Sequence, residues 1–298
     1  MAQAAIDIGS NSILLTVVDD AARVVHDEAT VVGLGRGLGD RGLFAPDRMA
    51  AAEAVLTTYV QTAQKYGITP GSIRIAATSA ARRAMNAATF FQKLHRSLGI
   101  RVKIITGEEE ARLTWVGARR LLDVPPGPVL VIDLGGGSTE LVLGEGDHVY
   151  LRVSLEIGSV RLTEQFLGTG LHEPAGLARV RNRIETEVAP LRLDPMPRTV
   201  IGVAGTATTL TAMALGLDHW DASIVHGSKL TRTDLARFAD QLLAATPEER
   251  RRLAAVSPER ADYLLAGAAI LDRILQASRR PQLTASDGGL RYGLLSEP

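Results

Sequence analysis

The chain has 298 residues, with 33 Lys and Arg balanced by 33 Asp and Glu, and it contains no cysteine. A net charge of zero argues against a generally polybasic nucleic-acid binder while permitting a local basic cleft, and the missing thiols exclude disulfides, thiolate catalysis and Cys-ligated metals. With 46% hydrophobic and 22% charged residues the composition is that of a globular protein long enough for two cores. No apolar run approaches the ~20 residues of a membrane span, and no signal-like stretch opens the chain, so the expected location is the cytoplasm.

Residues 4–18 read as two strands joined by a tight turn that carries Asp7, Gly9, Ser10, Asn11 and Ser12. Another strand or two is expected over 22–34. The glycine-rich stretch 35–42 lacks the Gly-Lys-Ser/Thr ending of a P-loop and its strand-to-helix setting, so it reads as a flexible surface loop. A helix is predicted over 46–66, with Pro46 near its start and Gly67 ending it. Ile73–Ala77 is a short β-run, 78–86 turns into a helix, and a second helix covers 88–98. Arg82 and Arg83 fall near that strand-to-helix junction, where amides and basic side chains can together hold an anion. A solvated helix face is the simpler account of Arg83.

Val102–Thr106 is the next strand, and Gly107-Glu-Glu-Glu-Ala-Arg-Leu113 opens a helix that runs to Leu122. Thr106 with Glu109 fits a capping box, and acids in a first turn suit the helix dipole. Glu110 lies one step deeper and is more than the cap requires. Asp123-Val-Pro-Pro-Gly-Pro128 is the clearest linker, dividing the chain into 1–124 and 125–298, with a terminal helix able to pack back on the first domain.

Val129–Leu143 then repeats the opening plan: an apolar strand ending near Asp133, a glycine turn, and a second strand. Gly135, Gly136 and Gly137 let the backbone turn and approach a ligand, and successive amides there can form an anion-binding concavity. Ser138 and Thr139 add hydroxyls, and Glu140 places a carboxylate across the hairpin from Asp133. A phosphate chain with a divalent cation needs these parts; the plain alternative is a hairpin whose glycines serve only the turn. The repetition favours the first reading, as equivalent hairpins of two related domains facing each other over a cleft. A third β-run, Val200–Val203, ends in a small-residue turn around Gly205 and Thr206.

Between these turns, 154–167 passes from strand into helix, and further helices are predicted at 174–190, 208–216, 232–245 and 247–254. A last long helix begins at Ser257-Pro258, with an apolar stripe of Leu264, Ala268, Leu271 and Leu275. Gly267 inside it suggests close approach by another element. Gln282–Ser286 reads as a strand running into 287–293. None of the six histidines has metal-ligand spacing, and His226 is expected to be structural.

The paired hairpins resemble those of the actin-like ATPase superfamily. The ordered motifs Ala5–Ser12, Ala77–Arg82, Gly107–Leu113, Val131–Glu140, Gly158–Glu164, Gly202–Thr206, Arg260–Leu271 and Gly289–Leu295 resemble the exopolyphosphatase/guanosine pentaphosphate phosphohydrolase (Ppx/GppA) family along essentially the whole chain. A sugar kinase or chaperone ATPase would fit the loops but not Gly107–Leu113 or Gly289-Leu-Arg291.

The resemblance implies an α/β fold of two actin-like (ribonuclease H-like) domains facing each other across a cleft. The implied reaction is metal-dependent hydrolysis of the terminal phosphoanhydride of inorganic polyphosphate, releasing orthophosphate. In that reading Glu110 positions or deprotonates the water and Arg82 clamps a phosphate. Asp133 and Glu140 hold Mg²⁺, or alternatively Mn²⁺, directly or through water. Ser138 and Thr139 with the amides of Gly135, Gly136 and Gly137 bind phosphate, Asp7, Gly9, Ser10, Asn11 and Ser12 close the cleft from the other side, and Gly205 and Thr206 complete the phosphate set.

Alternatives are removal of the terminal phosphate of guanosine pentaphosphate, giving ppGpp, or non-catalytic alarmone or nucleotide binding, which an intact Glu110, Asp133 and Glu140 argue against. A homodimer is expected, with no membrane or nucleic-acid partner. Longer family members carry an HD-type helical extension, and this chain stops near the end of the actin-like core, which points to short polyphosphate. Lys229, Arg232, Arg237, Arg250, Arg251 and Arg252 are the candidates for a basic track beyond the cleft.

Overall fold

The computed structural model describes residues 1–38 and 42–297. The chain divides into two compact units, Met1–Gly117 with the residues from Leu290 on, and Ala118–Gly289. The division falls inside the Gly107–Arg120 helix, upstream of the 123–128 linker.

Alternating apolar residues build the first unit's sheet. Its strands are β1 (Gln3–Ile8), β2 (Ser12–Val18), β3 (Val24–Val31), β4 (Arg74–Ala77) and β5 (Val102–Ile104), in the order β3-β2-β1-β4-β5. The β1–β2 and β2–β3 pairs are antiparallel, and β4 and β5 join in parallel. The two-residue period turns Ala4, Ile6 and Ile8, with Ile13, Leu15 and Val17, to one face. They form one core with Leu56 and Tyr59 of the Pro46–Lys65 helix and Phe90, Phe91 and Leu94 of the Ala87–Leu98 helix.

Asp7 belongs to the other face. There Ala76, Ile105 and Leu113 meet Leu290, while Ala5 and Val18 meet Leu295 of the Leu290–Ser296 helix. That helix is anchored by polar groups as well. Arg291 pairs with Asp27 and donates to Thr16 Oγ1 at 2.8 Å. Tyr292 Oη donates to Asp27 Oδ2 at 3.1 Å, and Arg74 donates to the carbonyls of Leu294 and Glu297 at 2.8 and 2.7 Å.

The glycine-rich stretch departs from its reading as a surface loop. Within it Leu38 is buried in the core, and the Gly35 amide bonds to the Ser10 carbonyl of the first hairpin at 2.7 Å. Its residues 39–41 lie outside the described part of the chain.

The second unit is built on β6 (Val129–Leu134), β7 (Thr139–Glu145), β8 (His148–Leu155), β9 (Thr199–Val203), β10 (Lys229–Thr231) and β11 (Gln282–Ala285). Its order, β10-β11-β9-β6-β7-β8, contains the first unit's sheet again. β8-β7-β6-β9-β11 matches β3-β2-β1-β4-β5 strand by strand, antiparallel and parallel pairs included, and β10 is added antiparallel at the β11 edge.

The Asp7 and Asp133 hairpins are therefore equivalent. β9 stands where β4 stands, so the third small-residue segment corresponds to the Thr78 junction and not to a hairpin. Gly205 and Thr206 are in fact the first turn of the Ala204–Ala214 helix, which starts four residues before the predicted 208.

Leu130, Ile132, Leu134, Leu141 and Leu143 pack on Leu177, Val180 and Ile184 of the Pro174–Val188 helix and on Leu264, Leu271 and Leu275. The last long helix is two pieces, Pro258–Ala261 and Leu264–Ala277. Between them Asp262 accepts hydrogen bonds from Arg250 and Arg251. Gly267 allows the predicted close approach: a Cβ there would collide with Thr206 Cγ2. Among the described residues no helix is long and apolar enough to cross a membrane.

Candidate active site

The β6–β7 register pairs Asp133 with Glu140 and Leu134 with Thr139. Directly opposed residues share a face, so both carboxylates stand together on the face away from Leu134 and the core. Glu140 is 2% exposed and accepts from Ser154 Oγ at 2.6 Å. Thr139 goes to the core side, where its hydroxyl donates to the Ile157 carbonyl at 2.6 Å. It is not brought together with the acids.

The turn itself is closed by the Gly135 amide, which donates to the Ser138 carbonyl at 3.0 Å. The next carbonyls all face one way: Gly135 O accepts from Ser159 N at 3.1 Å, Gly136 O from Arg161 N at 2.9 Å, and Gly137 O from Arg161 Nε at 2.6 Å. In a trans peptide the C=O and the following N–H point in opposite directions. The amides of Gly136, Gly137 and Ser138 are therefore turned to the other side, as an anion-binding concavity requires. The Gly135 amide is not among them, because it is used within the turn.

The first hairpin repeats this construction. Gly9 N donates to Ser12 O at 3.0 Å. The Ser10 carbonyl accepts from Gly35 N at 2.7 Å, and the Asn11 carbonyl from Val32 N and Gly33 N at 2.9 and 2.7 Å. The amides of Asn11 and Ser12 consequently point away from the glycine-rich stretch. Ser10 is buried, and Asn11 Oδ1 is buried with no hydrogen-bond partner among the described residues. Asp7 sits near the end of β1, between Leu14 and Ala76.

The ends of β1, β4 and β5 line up along one edge of the same sheet: Thr78 N bonds Ile8 O at 3.2 Å and Ile105 N bonds Ala77 O at 3.0 Å. From this edge the Ser79–Arg83 helix carries Arg82, whose Nη1 donates to Glu110 Oε2 at 2.6 Å and to Ile105 O at 3.2 Å. Glu110 is 7% exposed. Half of the expected capping box forms: Glu109 N donates to Thr106 Oγ1 at 3.1 Å, but the Glu109 carboxylate takes Lys103 at 2.6 Å. Ser79 Oγ, at the same edge, is buried with no hydrogen-bond partner among the described residues.

Residues 14–297 match the model of the Ppx/GppA phosphatase family. The chain belongs to that family. It is 37% identical to Exopolyphosphatase 2 of Mycobacterium tuberculosis (strain CDC 1551 / Oshkosh), over 98% of this chain and 96% of the relative. The crystal structure of the Aquifex aeolicus Ppx/GppA family member superposes with a TM-score of 0.82 at 33% identity, covering 99% and 96% of the two chains. An exopolyphosphatase structure from Cytophaga hutchinsonii ATCC 33406 gives a TM-score of 0.91 at 25% identity, with the same coverage.

Other motifs of this Ppx/GppA chain are closely packed. The Arg260 guanidinium occupies the space a Cβ on Gly205 would need, and burial pushes its pKa below the usual arginine range. Thr206 is held against Gly267. His226 accepts from Asp287 N at 3.2 Å through Nδ1, which leaves Nε2 to donate to Leu121 O at 3.0 Å. That is the structural role expected of it. Sequence reasoning missed Ser154 and Arg161; the signal lay in the register of β7 with β8, which pairs Glu140 with Ser154, and in the Gly158–Glu164 motif.

Among the described residues no group of three or more His, Asp or Glu side chains forms a metal cluster. Two carboxylates on one sheet face suit instead a hard cation that keeps waters and takes phosphate oxygens, as Mg²⁺ does.

Proposed function

We infer that this protein is an exopolyphosphatase, removing the terminal phosphate of inorganic polyphosphate by attack of water. The observation that carries the reading is Glu110: a buried carboxylate beyond what its helix cap uses, beside a guanidinium at 2.6 Å, in a chain 37% identical to an exopolyphosphatase over nearly its whole length. Glu110 takes a proton from water as its oxygen attacks the terminal phosphorus. The bond to the bridging oxygen breaks, orthophosphate leaves, and the shortened chain keeps that oxygen. Arg82 is suited to draw phosphate charge to the carboxylate, and the amides of the two hairpins to bind phosphate oxygens. Asp133 and Glu140 would hold Mg²⁺, which supplies charge neutralisation on those oxygens.

The test is phosphate release measured in parallel on short polyphosphate, long polyphosphate, guanosine pentaphosphate and ATP, with and without a chelator. Expected is release from polyphosphate that the chelator stops and Mg²⁺ restores. Release from guanosine pentaphosphate alone would overturn the substrate, and release undiminished by chelator would overturn the metal.

A further inference from the structure

The segment Gly158–Arg161 supplies none of the groups that the reaction above uses, yet it is pressed against the second hairpin. A Cβ on Gly158 would lie 2.5 Å from the C and O atoms of Gly136 and 2.6 Å from Gly137 C, all backbone atoms that cannot swing aside. Gly158 has φ −145° and ψ 159°, an extended conformation open to any residue, so closeness is what requires glycine here. Arg161 then grips the turn twice, through its amide to Gly136 O at 2.9 Å and its Nε to Gly137 O at 2.6 Å. The guanidinium is itself paired with Glu156, and the Arg161 side chain is only 18% exposed.

Glycine peptides rotate easily. A flipped peptide at Gly136 or Gly137 would present a carbonyl oxygen, the negative end of the dipole, where an anion is to bind. We propose that Gly158 and Arg161 are positioning residues that lock these peptide planes, so that the amides of Gly136, Gly137 and Ser138 converge on a substrate phosphate group. The Nε contact is charge-assisted and so holds its carbonyl more firmly than a neutral donor would. This assignment rests on the polyphosphate reading above.

The experiment follows backbone amide resonances during titration with inorganic phosphate, alongside steady-state kinetics on tripolyphosphate. In the wild type, phosphate should move the amides of Gly136, Gly137 and Ser138 and leave Gly135 in place. In Arg161→Gln those shifts should collapse while those of Asn11 and Ser12 persist, and KM should rise about tenfold, the worth of one weakened charge-assisted hydrogen bond. Gly158→Ala should give the same pattern, and Arg161→Lys, which keeps the charge, should still raise KM.

Wild-type shifts in Arg161→Gln, a loss spread over both hairpins, or a wild-type KM in Arg161→Lys would each overturn the proposal. Failure of the hydrolase reading is separable. A wild-type protein that releases no phosphate but shows the three amide shifts keeps the loop assignment, whereas normal turnover and KM in every variant removes the assignment and keeps the hydrolase.

Discussion

Burying a carboxylate costs free energy unless it is paired, and at Glu110 the partner is Arg82, at 2.6 Å. Glu110→Gln keeps the shape of the side chain and removes its capacity to take a proton. The expected outcome is a folded protein, judged by circular dichroism, whose polyphosphate turnover falls by roughly 10²–10⁴, the usual worth of a general base. Turnover within a few-fold of wild type would remove Glu110 from catalysis.

That Glu110 is set apart from the cap was legible in the sequence, because the cap explains only its neighbours; its pairing with Arg82 was not. That the Thr139 hydroxyl is spent on Ile157 O and the Gly135 amide on Ser138 O was not legible, because strand register decides which side a residue faces, and composition does not carry register. A second residue-scale consequence concerns His172, which is 5% exposed, with Nδ1 buried and without a hydrogen-bond partner among the described residues. Burial, with the nearby Arg250 charge, lowers its pKa from the ordinary 6.5. Above that value both folded and unfolded chains hold the ring neutral and it contributes no pH dependence. As pH falls below 6.5 the unfolded chain takes up the proton first, so stability is lost down to the depressed folded value. Melting temperatures followed from neutral pH downward should therefore drop, and His172→Leu should flatten that acid limb; an unchanged slope in the variant would assign the loss to other groups.

At the scale of elements, the sheets were largely readable: short apolar runs bounded by turn residues mark β1, β2, β6 and β7, and the repeated Asp-x-Gly turn marks the hairpins as equivalent. The short β10 and the start of the Ala204–Ala214 helix were not. β10 has three residues, too few to show a period. The helix begins at Ala204, whose φ of +68° bends the chain sharply out of β9, a conformation an alanine gives no hint of. Helix packing was readable at one point, Gly267, and it yields a prediction with competing signs. Gly267→Ala gains about 1 kcal/mol of helix propensity but drives a methyl into Thr206, an overpacking worth about 1–3 kcal/mol. The net expectation is a loss of up to about 2 kcal/mol in denaturant unfolding. Thr206→Ser removes the opposing methyl, so in that background Gly267→Ala should become neutral or stabilising. Equal effects in the two backgrounds would show that the helices do not meet there.

For the molecule as a whole the deciding quantity is how much positive charge a long polyanion can reach. The chain's formal charge is zero, and four of the five arginines read as a possible track are paired within the protein. Arg250 is 0% exposed and pairs with Asp262, Arg251 pairs with the same acid, Arg232 with Asp272, and Arg237 with Asp234. Lys229 donates to Thr284 at 2.6 Å. Ion pairing of this kind leaves little net field from the paired arginines, since their carboxylates lie within a few ångströms, well inside a Debye length of about 8 Å at physiological salt. Affinity then comes from the few phosphates held at the site itself, and it does not grow with every added unit of the chain. After each cleavage the shortened polymer should leave as readily as it arrived. The expected behaviour is a KM per chain end that is nearly independent of length beyond a few units, with distributive release. An end-labelled long polyphosphate sampled early in the reaction should show the whole population shortening gradually. Full-length chains persisting beside free phosphate, with nothing between, would mean that the enzyme is processive and that a basic track other than these six residues retains the polymer between cleavages.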